Sequence, residues 1–403
     1  MTEPVTEFDA LGLLREIEDI GRDPRRGGYS RHLLDDADRD LRDWFIERAV
    51  RLGLEVTIDR NANLWAWWGT PGPDAFVTGS HLDSVPGGGA HDGPLGVVSA
   101  LAAVERLQAQ GFVPTRPIAV VVFAEEEGSR FGIACLGSRL LSGAITPSRF
   151  GELTDAAGRR FVDVARDASL PDPGYDAESL ARIGVYVELH VEQGKGLIDL
   201  GAPVAVGSSI LEHGRWRIDV RGQGNHAGTT EIADRRDPML PAAAAVLAAR
   251  RAAGLRSGSR ATIGRLEPVP GGTNVIASRV SAWMDVRAET EKDTRDIVAE
   301  VQAAVADAAA AEGCDASVVE ESYSGEVRFD PQLRDRIAAT LGAVPVLPTG
   351  AGHDAGVLAA HVPTAMLFVR NPSGISHAPE EGADDAAVHA GVDALVRTIE
   401  DLA

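Results

Sequence analysis

The sequence predicts an α/β protein with a smaller α+β domain inserted into it. The chain has 403 residues, more than one hydrophobic core usually organises, so two domains are expected. Outside residues 212–322, predicted helices alternate with apolar strands such as Ile118–Ala124, a run typical of a sheet covered on both faces. Within 212–322, the predicted strands alternate polar and apolar residues, as strands with one wet face do. We therefore predict one domain from 1–211 and 323–403, and an inserted domain from 212–322.

The individual elements follow from their residue patterns. Before the insertion, the pattern predicts helices at Leu11–Ile20, Leu33–Val50 and Pro94–Gln108, and strands at Glu55–Asp59, Leu64–Trp68 and Ala75–Gly79. Within the insertion, it predicts strands at Arg215–Arg221 and Val275–Arg287, and alanine-rich helices at Pro241–Ala253 and Asp293–Ala311. After the insertion, it predicts a helix at Pro331–Leu341, a strand at Thr364–Val369 and a helix from about Asp385 to Leu402.

Charge and composition limit the classes of function. The formal net charge is −21, which repels nucleic acids and anionic membranes, so a small-molecule substrate is expected. The sequence begins with acidic residues and contains no apolar run of about 20 residues, which predicts a cytoplasmic protein. The only cysteines, Cys135 and Cys314, provide neither a disulfide framework nor a cysteine zinc site. Any metal must therefore be held by His, Asp and Glu.

Two segments combine acidic residues with predicted strand ends. His81, Asp83 and Asp92 lie in a glycine-rich loop that follows an apolar strand and precedes a helix. Glu125, Glu126 and Glu127 follow the strand Ile118–Ala124, and three adjacent carboxylates repel one another unless a cation or a proton lies among them. One such acid can bind metal while its neighbour transfers a proton. Taken singly, the first segment is typical of a turn-rich connection and the second of a solvated turn.

Two further histidines complete a possible ligand set. His190 lies in the strand-like run Val185–Gly194, and His377 ends a loop after the strand Thr364–Val369. Either histidine alone is more typical of an ordinary structural residue. Together, the four segments provide His, Asp and Glu side chains near strand ends, a set suited to Zn²⁺ or Mn²⁺, with Co²⁺ or Ni²⁺ also accepted. A shared aspartate can bridge two ions about 3.5–4 Å apart.

Seven segments resemble the hydantoinase/carbamoylase family of amidases: SHLDSVPGGGAHDGPLG, EEEGSRFG, ELHVEQG, GNHAGTT, TNVI, GAGHDAG and GISHAPEE. That family includes N-carbamoyl-L-amino-acid hydrolases, allantoate amidohydrolases and β-ureidopropionases, within the dinuclear metallopeptidase clan. The resemblance spans roughly residues 10–400 in unbroken order. It implies a mixed-sheet, dinuclear aminopeptidase-like catalytic domain with two divalent ions per subunit.

The resemblance also implies roles for individual residues. The metal ligands would be His81, Asp92, Glu127, His190 and His377, with Asp92 bridging the two ions. Glu126 would be the general base, and Asp83 would orient His81 through the far nitrogen of its ring.

The inserted domain would be a lid that also forms a homodimer. The resemblance implies that His226, Asn274 and Arg287 reach the substrate, partly from the neighbouring subunit. Arg287 would bind the substrate carboxylate, and His226 would stabilise the developing oxyanion. Gln193 is a further candidate for a substrate hydrogen bond. We expect lid hinges near Val206–Ser209 and Ser322–Gly325, where the connectors contain glycine.

The chain departs from its relatives at Arg370, where many of them have small or uncharged residues. A solvated surface cation is one interpretation of Arg370. Our hypothesis is that Arg370 pairs with a second acidic group of the substrate. This would make an acidic N-carbamoyl or N-formyl amino acid, such as N-formylglutamate, a possible substrate.

We therefore predict a hydrolase acting on a linear C–N bond of a small N-carbamoyl or ureido acid, either allantoate or an N-carbamoyl-L-amino acid. Alternatives are an N-formylglutamate-type deformylase and a dipeptidase or aminoacylase of the same clan. A third alternative is a non-catalytic binding or scaffold protein. The complete ligand set and Glu126 count against it, since a site without chemistry has no physical reason to keep mutually repelling groups.

Overall fold

The computed structural model describes residues 9–403, which form two compact units. The large unit contains the described residues up to Ser209 together with Arg328–Ala403, and the inserted unit contains Ile210–Val327. The sequence-based boundaries for the insertion were 212–322, so the inserted unit is a few residues wider at each end. The mixed α/β class with a smaller α+β insertion is confirmed.

The helices of the described residues are, in chain order, α1 (Ala10–Glu16), α2 (Asp36–Arg51), α3 (Pro94–Ala109), α4 (Leu136–Ser142), α5 (Pro147–Gly151), α6 (Phe161–Asp167), α7 (Ala177–Arg182), α8 (Gly196–Leu200), α9 (Met239–Gly254), α10 (Glu291–Glu312), α11 (Pro331–Thr340), α12 (Asp354–Leu358) and α13 (Asp385–Leu402). A short 3₁₀ helix covers Ile232–Asp234. Within residues 9–403, no helix is both long and apolar enough to cross a membrane.

The strands are β1 (Glu55–Ile58), β2 (Leu64–Trp68), β3 (Ala75–His81), β4 (Ile118–Phe123), β5 (Ile183–Val191), β6 (Val204–Ile210), β7 (Glu212–Arg221), β8 (Asn225–His226), β9 (Arg260–Val269), β10 (Val275–Ile276), β11 (Arg279–Ala288), β12 (Asp315–Ser324), β13 (Val327–Arg328), β14 (Val346–Thr349) and β15 (Thr364–Val369). The predicted strands Leu64–Trp68 and Thr364–Val369 and the helix Asp385–Leu402 are confirmed to the residue.

A mixed sheet forms the centre of the large unit, with strand order β1-β2-β4-β3-β5-β15-β6-β13 and β14 paired with β6. Strands β4, β3, β5 and β15 run parallel to one another, whereas β2 and β6 flank them in the antiparallel direction. All six residues of β4 are buried, as expected for a strand covered on both faces. Helix α3 packs on β3, β5 and α13 and is buried along most of its length. The carboxyl ends of the four parallel strands therefore meet at one edge of the sheet.

The inserted unit is a four-stranded antiparallel sheet in the order β12-β7-β11-β9, packed against α9 and α10. Alternate residues of β7 are buried, which confirms the predicted strands with one wet face. Its core joins Trp216, Ile218 and Val220 of β7 to the alanines of α9 and the valines of α10.

Several predicted boundaries were wrong for local reasons. The predicted helix Leu33–Val50 begins only at Asp36, because the Asp35 side chain accepts the amide of Asp38 and caps the first turn. The predicted helix Leu11–Ile20 ends at Glu16, and the predicted strand Val275–Arg287 is divided into β10 and β11. Helices α4 to α7 were not predicted, since segments of five to seven residues are too short to display a helical period.

The predicted hinge Val206–Ser209 lies within β6. The predicted hinge Ser322–Gly325 covers the end of β12 and the first residue of the connection to β13. Whether either region bends stays a prediction.

Asp38 of α2 provides a test of the packing in the large unit. It is fully buried, and burial raises its pKa from 3.8 to about 6, an effect that Arg42 only partly offsets. Because the folded-state pKa is raised, the contribution of Asp38 to the free energy of unfolding is fully present below about pH 4 and is lost as the pH rises to about 6. The loss corresponds to about 3 kcal/mol.

We expect Asp38→Asn to remove the part of the pH-dependent loss of unfolding free energy that Asp38 causes, because asparagine does not titrate. In the wild-type protein the Leu34 amide donates to Asp38 Oδ2 (2.8 Å), and asparagine keeps an oxygen for this hydrogen bond. The measurement is urea unfolding at pH 4 and pH 7 in the presence of a chelator, with the exposed Asp40→Asn of the same helix as control. An equal pH dependence in wild-type protein and Asp38→Asn would contradict the assignment.

Candidate metal centre

The structure brings the five predicted metal ligands together at the carboxyl edge of the parallel strands. His81 is the last residue of β3, and His190 is the last but one of β5. Glu127 follows β4, His377 follows β15, and Asp92 lies two residues before α3. Each ligand therefore comes from a different strand end or helix start, as ligands in α/β proteins commonly do.

Asp92 lies between two groups of donors. Its Oδ1 is 3.2 Å from His190 Nε2 and 3.6 Å from His81 Nε2. Its Oδ2 is 3.4 Å from His377 Nε2, which is itself 3.5 Å from Glu127 Oε2. Two possible ligand groups thus share one carboxylate, and within each group the donor atoms lie within 4.8 Å of one another.

The donor atoms of this centre fit a divalent metal. His81 Nε2, His190 Nε2 and Glu127 Oε1 are buried without a hydrogen-bond partner among the described residues. The other ring nitrogens are occupied, since His81 Nδ1 lies 3.0 Å from the Asp83 carbonyl and His190 Nδ1 lies 2.9 Å from the Val191 carbonyl. A neutral imidazole that donates from Nδ1 carries its proton there, so the lone pair of Nε2 is directed at the centre. This is the tautomer in which Nε2 can bind a metal.

Burial gives these groups unusual proton affinities. Burial, followed by neighbouring carboxylates, raises the pKa of Glu126 and Glu127 well above the ordinary value. Burial opposes charge on His81, but the carboxylates of Glu126, Asp83 and Asp92 outweigh it and raise the pKa of His81. Clustered acids in a low dielectric require positive charge for compensation, and a divalent cation supplies it.

Three comparisons relate the chain to known proteins. Residues 77–401 match the model of Peptidase family M20/M25/M40. The chain belongs to this family.

Its relatives are similar over nearly the whole chain. It is 34% identical to an N-carbamoyl-L-amino acid amidohydrolase of Geobacillus stearothermophilus, with 97% of each chain covered. It is 31% identical to the allantoate amidohydrolase of Escherichia coli K12, with 96% of each covered. The crystal structure of an amidase of the hydantoinase/carbamoylase family from Burkholderia multivorans superposes with a TM-score of 0.86 at 30% identity, covering 99% of each chain. The resemblance found in the sequence is therefore confirmed.

In this M20/M25/M40 family member, Asp83 lies beside the far ring nitrogen of His81, and its orienting role stays a prediction. The backbone carbonyl of Asp83, not its carboxylate, is within hydrogen-bond distance of His81 Nδ1; Oδ1 lies farther away, at 3.6 Å. The carboxylate instead accepts the amides of Glu126 (3.1 Å) and Glu127 (3.0 Å). Asp83 thus fixes the backbone that carries the predicted base and one predicted ligand.

Glu126 is held on both sides. Its Oε2 is 3.7 Å from His81 Nε2, and its Oε1 accepts the thiol of Cys135 at 3.3 Å. The sequence analysis assigned no role to Cys135, which is buried at the start of α4.

Three non-glycine residues around the centre adopt left-handed backbone conformations: Glu125 (φ 55°), Cys135 (φ 55°) and His377 (φ 57°). Such conformations are strained for residues with a Cβ atom and persist where the surroundings enforce them. Here the Glu125 carboxylate accepts the amides of Arg130 (2.8 Å) and Phe131 (2.6 Å), which tightens the loop after β4.

Glu381 is a second positioning residue that sequence reasoning missed. Its Oε1 accepts the amide of Asp92 at 2.9 Å, and its Oε2 accepts the amide of His377 at 3.2 Å. One carboxylate thus ties together two predicted ligands that are far apart in sequence. Glycine at position 89 permits this contact, since a Cβ there would lie 2.4 Å from Glu381 Oε1. At Gly93 (φ 85°), a Cβ would lie 2.4 Å from the His81 ring.

Gln193 joins the centre, whereas Arg370 already has a partner. Gln193 Nε2 donates to Asp92 Oδ2 and to Ser376 Oγ, both at 2.9 Å. The guanidinium of Arg370 is paired with Asp384, with Nε 3.0 Å from Oδ2 and Nη2 3.3 Å from Oδ1. That carboxylate also caps α13. The hypothesis that Arg370 pairs with an acidic substrate stays a prediction, and this ion pair counts against it.

The other three predicted substrate contacts lie on the inserted unit. His226 pairs with Val275, and the amide of Ala227 donates to the carbonyl of Asn274 at 3.0 Å, so His226 and Asn274 are neighbours. His226 is exposed, and its Nδ1 accepts the Gly228 amide, so a neutral ring carries its proton on Nε2. Arg287, on β11, donates from Nε to Asp285 Oδ1 at 2.9 Å. Their contact with substrate stays a prediction.

We call the two hydrogen bonds that the Glu381 carboxylate accepts from the amides of Asp92 and His377 the Glu381 clamp. Its role can be tested through metal affinity. We expect Glu381→Gln to raise the Kd for Zn²⁺ or Mn²⁺ about 10- to 100-fold, because the new amide places an N–H donor against a backbone N–H. Calorimetric titration of metal-free protein measures the change, and the neighbouring, exposed Glu380→Gln serves as control. Equal affinities for Glu381→Gln and wild-type protein would show that the clamp does not position the ligands.

Proposed function

We propose that this protein is a dinuclear, metal-dependent amidohydrolase that cleaves a linear C–N bond of a small N-carbamoyl or ureido acid. The observation that carries the proposal is the Asp92 carboxylate shared by two donor groups, with Glu126 beside them. His81, Asp92 and His190 would hold one divalent ion, and Asp92, Glu127 and His377 would hold the other. When bound, Zn²⁺ or Mn²⁺, with Co²⁺ or Ni²⁺ as further possibilities, polarises a substrate carbonyl and increases the acidity of water.

Glu126 is the proton carrier of the proposed reaction. It is buried, and burial raises its pKa well above that of an exposed glutamate. Its Oε2 lies 3.7 Å from His81 Nε2, and its Oε1 accepts the thiol of Cys135. A carboxylate in that position takes a proton from the attacking water and returns it to the departing nitrogen. An N-carbamoyl amino acid then yields the amino acid, carbon dioxide and ammonia. Allantoate yields a ureido acid, carbon dioxide and ammonia.

We assign recognition of the substrate carboxylate and stabilisation of the developing oxyanion to side chains of the inserted unit. Arg287 offers a guanidinium for the carboxylate, and His226 offers its Nε2–H for the oxyanion. Asn274 and Gln193 add amide hydrogen bonds. Both roles are proposed for a homodimer formed through the inserted unit. Exposed leucines on or next to α9 support such an interface: Leu240, Leu247 and Leu255.

The names of the relatives support the substrate class. They include N-carbamoyl-L-amino acid amidohydrolases, allantoate amidohydrolases and ureidoglycolate hydrolases from rice and Arabidopsis thaliana. All three named substrates carry a terminal –NH–CO–NH₂ group. The free thiols of Cys135 and Cys314 suit the reducing cytoplasm, where we place the protein. The N-formylglutamate alternative loses its main support with the Arg370–Asp384 ion pair.

A substrate panel tests the reaction class. We expect metal-loaded protein to release ammonia from at least one of N-carbamoyl-L-amino acids, allantoate and ureidoglycolate, and chelator-treated protein to release none. Dipeptides and N-acetyl amino acids serve as controls for the peptidase and aminoacylase alternatives. Turnover of dipeptides without ammonia release from any ureido acid would overturn the proposal.

Glu126→Gln tests the proton carrier. The change keeps the size of the side chain and an acceptor for the Cys135 thiol but removes the basic carboxylate, so kcat should fall by about 10²- to 10⁴-fold. Metal content and Tm should stay close to the wild-type values, and the exposed Glu152→Gln should leave kcat unchanged. Retention of most activity in Glu126→Gln would assign the proton transfer to another group.

A further inference from the structure

Cys135 is a buried thiol that the proposed reaction does not use. It lies directly before α4 in the large unit and is only 3% exposed. Its backbone amide donates to the carbonyl of Glu126 at 2.6 Å, and its thiol lies 3.3 Å from Glu126 Oε1. One residue thus contacts both the backbone and the carboxylate of the proposed proton carrier.

The segment that carries Cys135 packs closely against the loop after β4. The amide of Gly137 donates to the carbonyl of Ala124 at 2.9 Å, and a Cβ at Gly137 would lie 2.8 Å from the Ala124 amide nitrogen. Cys135 itself has a left-handed backbone conformation (φ 55°), which persists where the surroundings enforce it. These backbone contacts fix the position of the thiol relative to Glu126.

The thiol is the only hydrogen-bond donor to the Glu126 side chain among the described residues. The other carboxylate oxygen, Oε2, lies 3.7 Å from His81 Nε2, on the side of the metal centre. Burial raises the pKa of the Cys135 thiol well above its usual value, and the carboxylates of Glu126 and Asp354 raise it further. The sulfur therefore keeps its proton and acts as a donor.

Two other roles fit the surroundings of the sulfur less well. A metal ligand must be a thiolate, and Cys135 belongs to none of the groups of possible metal ligands found within residues 9–403. A side chain that only packs could be replaced by alanine at little cost to the reaction. Here, alanine would leave Glu126 Oε1 without its donor.

We propose that Cys135 is a positioning residue, whose S–H group holds Glu126 Oε1 so that Oε2 faces the reacting water. The inference rests on the proposed function and deepens it. Proton transfer requires the carboxylate within hydrogen-bond reach of the water, and a carboxylate that can rotate meets this requirement only part of the time. Loss of the thiol should therefore slow the chemical step and leave substrate binding largely unchanged.

Kinetics on the ureido acid that the wild-type protein hydrolyses fastest test this role. We expect Cys135→Ala to lower kcat by about 10-fold or more and to change KM by less than about 3-fold. Cys135→Ser, which restores a hydroxyl donor, should recover part of the loss. Cys314→Ala removes the other cysteine of the chain and, as the matched control, should keep the wild-type kcat.

A double-mutant cycle separates positioning from packing. In a Glu126→Gln background, Cys135→Ala should change the remaining kcat by less than about 3-fold, because the thiol then has no carboxylate to orient. A packing defect would lower kcat to the same extent in both backgrounds. The Tm and the metal content of each variant are measured alongside.

The infrared S–H stretching band reports the contact without turnover. Cys135→Ala and Cys314→Ala assign the two bands of the metal-loaded protein. The Cys135 band should lie at the lower frequency, since the sulfur of Cys314 is 3.8 Å from its acceptor, the Glu312 carbonyl. Glu126→Gln should move only the Cys135 band, because an amide oxygen is a weaker acceptor than a carboxylate.

A wild-type kcat in Cys135→Ala, equal losses in the two backgrounds, or a Cys135 band that ignores Glu126→Gln would overturn the proposal. Wild-type protein that hydrolyses no ureido acid would overturn the proposed function and this role with it. A shifted Cys135 band would then still show the contact with Glu126, so the two failures are distinguishable.

Discussion

The placement of one carboxylate, that of Asp92, between two groups of donors governs the rest of the site. Its two oxygens face different partners, His190 and His81 on one side and His377 on the other. Glu126 is buried a few ångströms away, and so is Oε1 of Glu127. Enclosing several carboxylates together is unfavourable without compensating positive charge. The neighbouring imidazoles provide part of that charge, and a divalent cation would provide the remainder. The fold must therefore hold together carboxylates that repel one another.

Two kinds of structure hold them. The parallel strands β3, β4, β5 and β15 fix the directions in which the ligand-bearing segments leave the sheet. Two carboxylates that are not ligands then fix the loops: Asp83 accepts the amides of Glu126 and Glu127, and Glu381 accepts those of Asp92 and His377. Because each clamp binds backbone rather than side chains, it positions the ligands without occupying their donor atoms. We therefore expect metal affinity and catalytic geometry to depend on residues that do not touch the metal.

The sequence predicted the parts of this arrangement that follow from local pattern and family resemblance. The apolar run of β4 and the acids after it identified a strand end, and the four motif segments supplied the five ligands. The role of Glu381 and the burial of His353 were not predicted, because their contacts join residues from distant parts of the chain. Cys135 lies only nine residues from Glu126, but the loop conformation that brings them together has no sequence pattern. For Arg370, the sequence suggested a contact that the structure does not favour. An arginine where many relatives have small or uncharged residues suggested a substrate contact, whereas the structure pairs Arg370 with Asp384. A single sequence does not reveal that ion pair. The start of α2 was misplaced because the capping contact of Asp35 was not recognised.

The central claim is that the Asp92 carboxylate is shared by two metal ions, and anomalous X-ray diffraction from crystals loaded with Zn²⁺ or Mn²⁺ tests it most directly. The account predicts two anomalous peaks per chain, one on each side of Asp92, with His81 and His190 beside the first and Glu127 and His377 beside the second. A single peak, or peaks that do not contact Asp92, would contradict it.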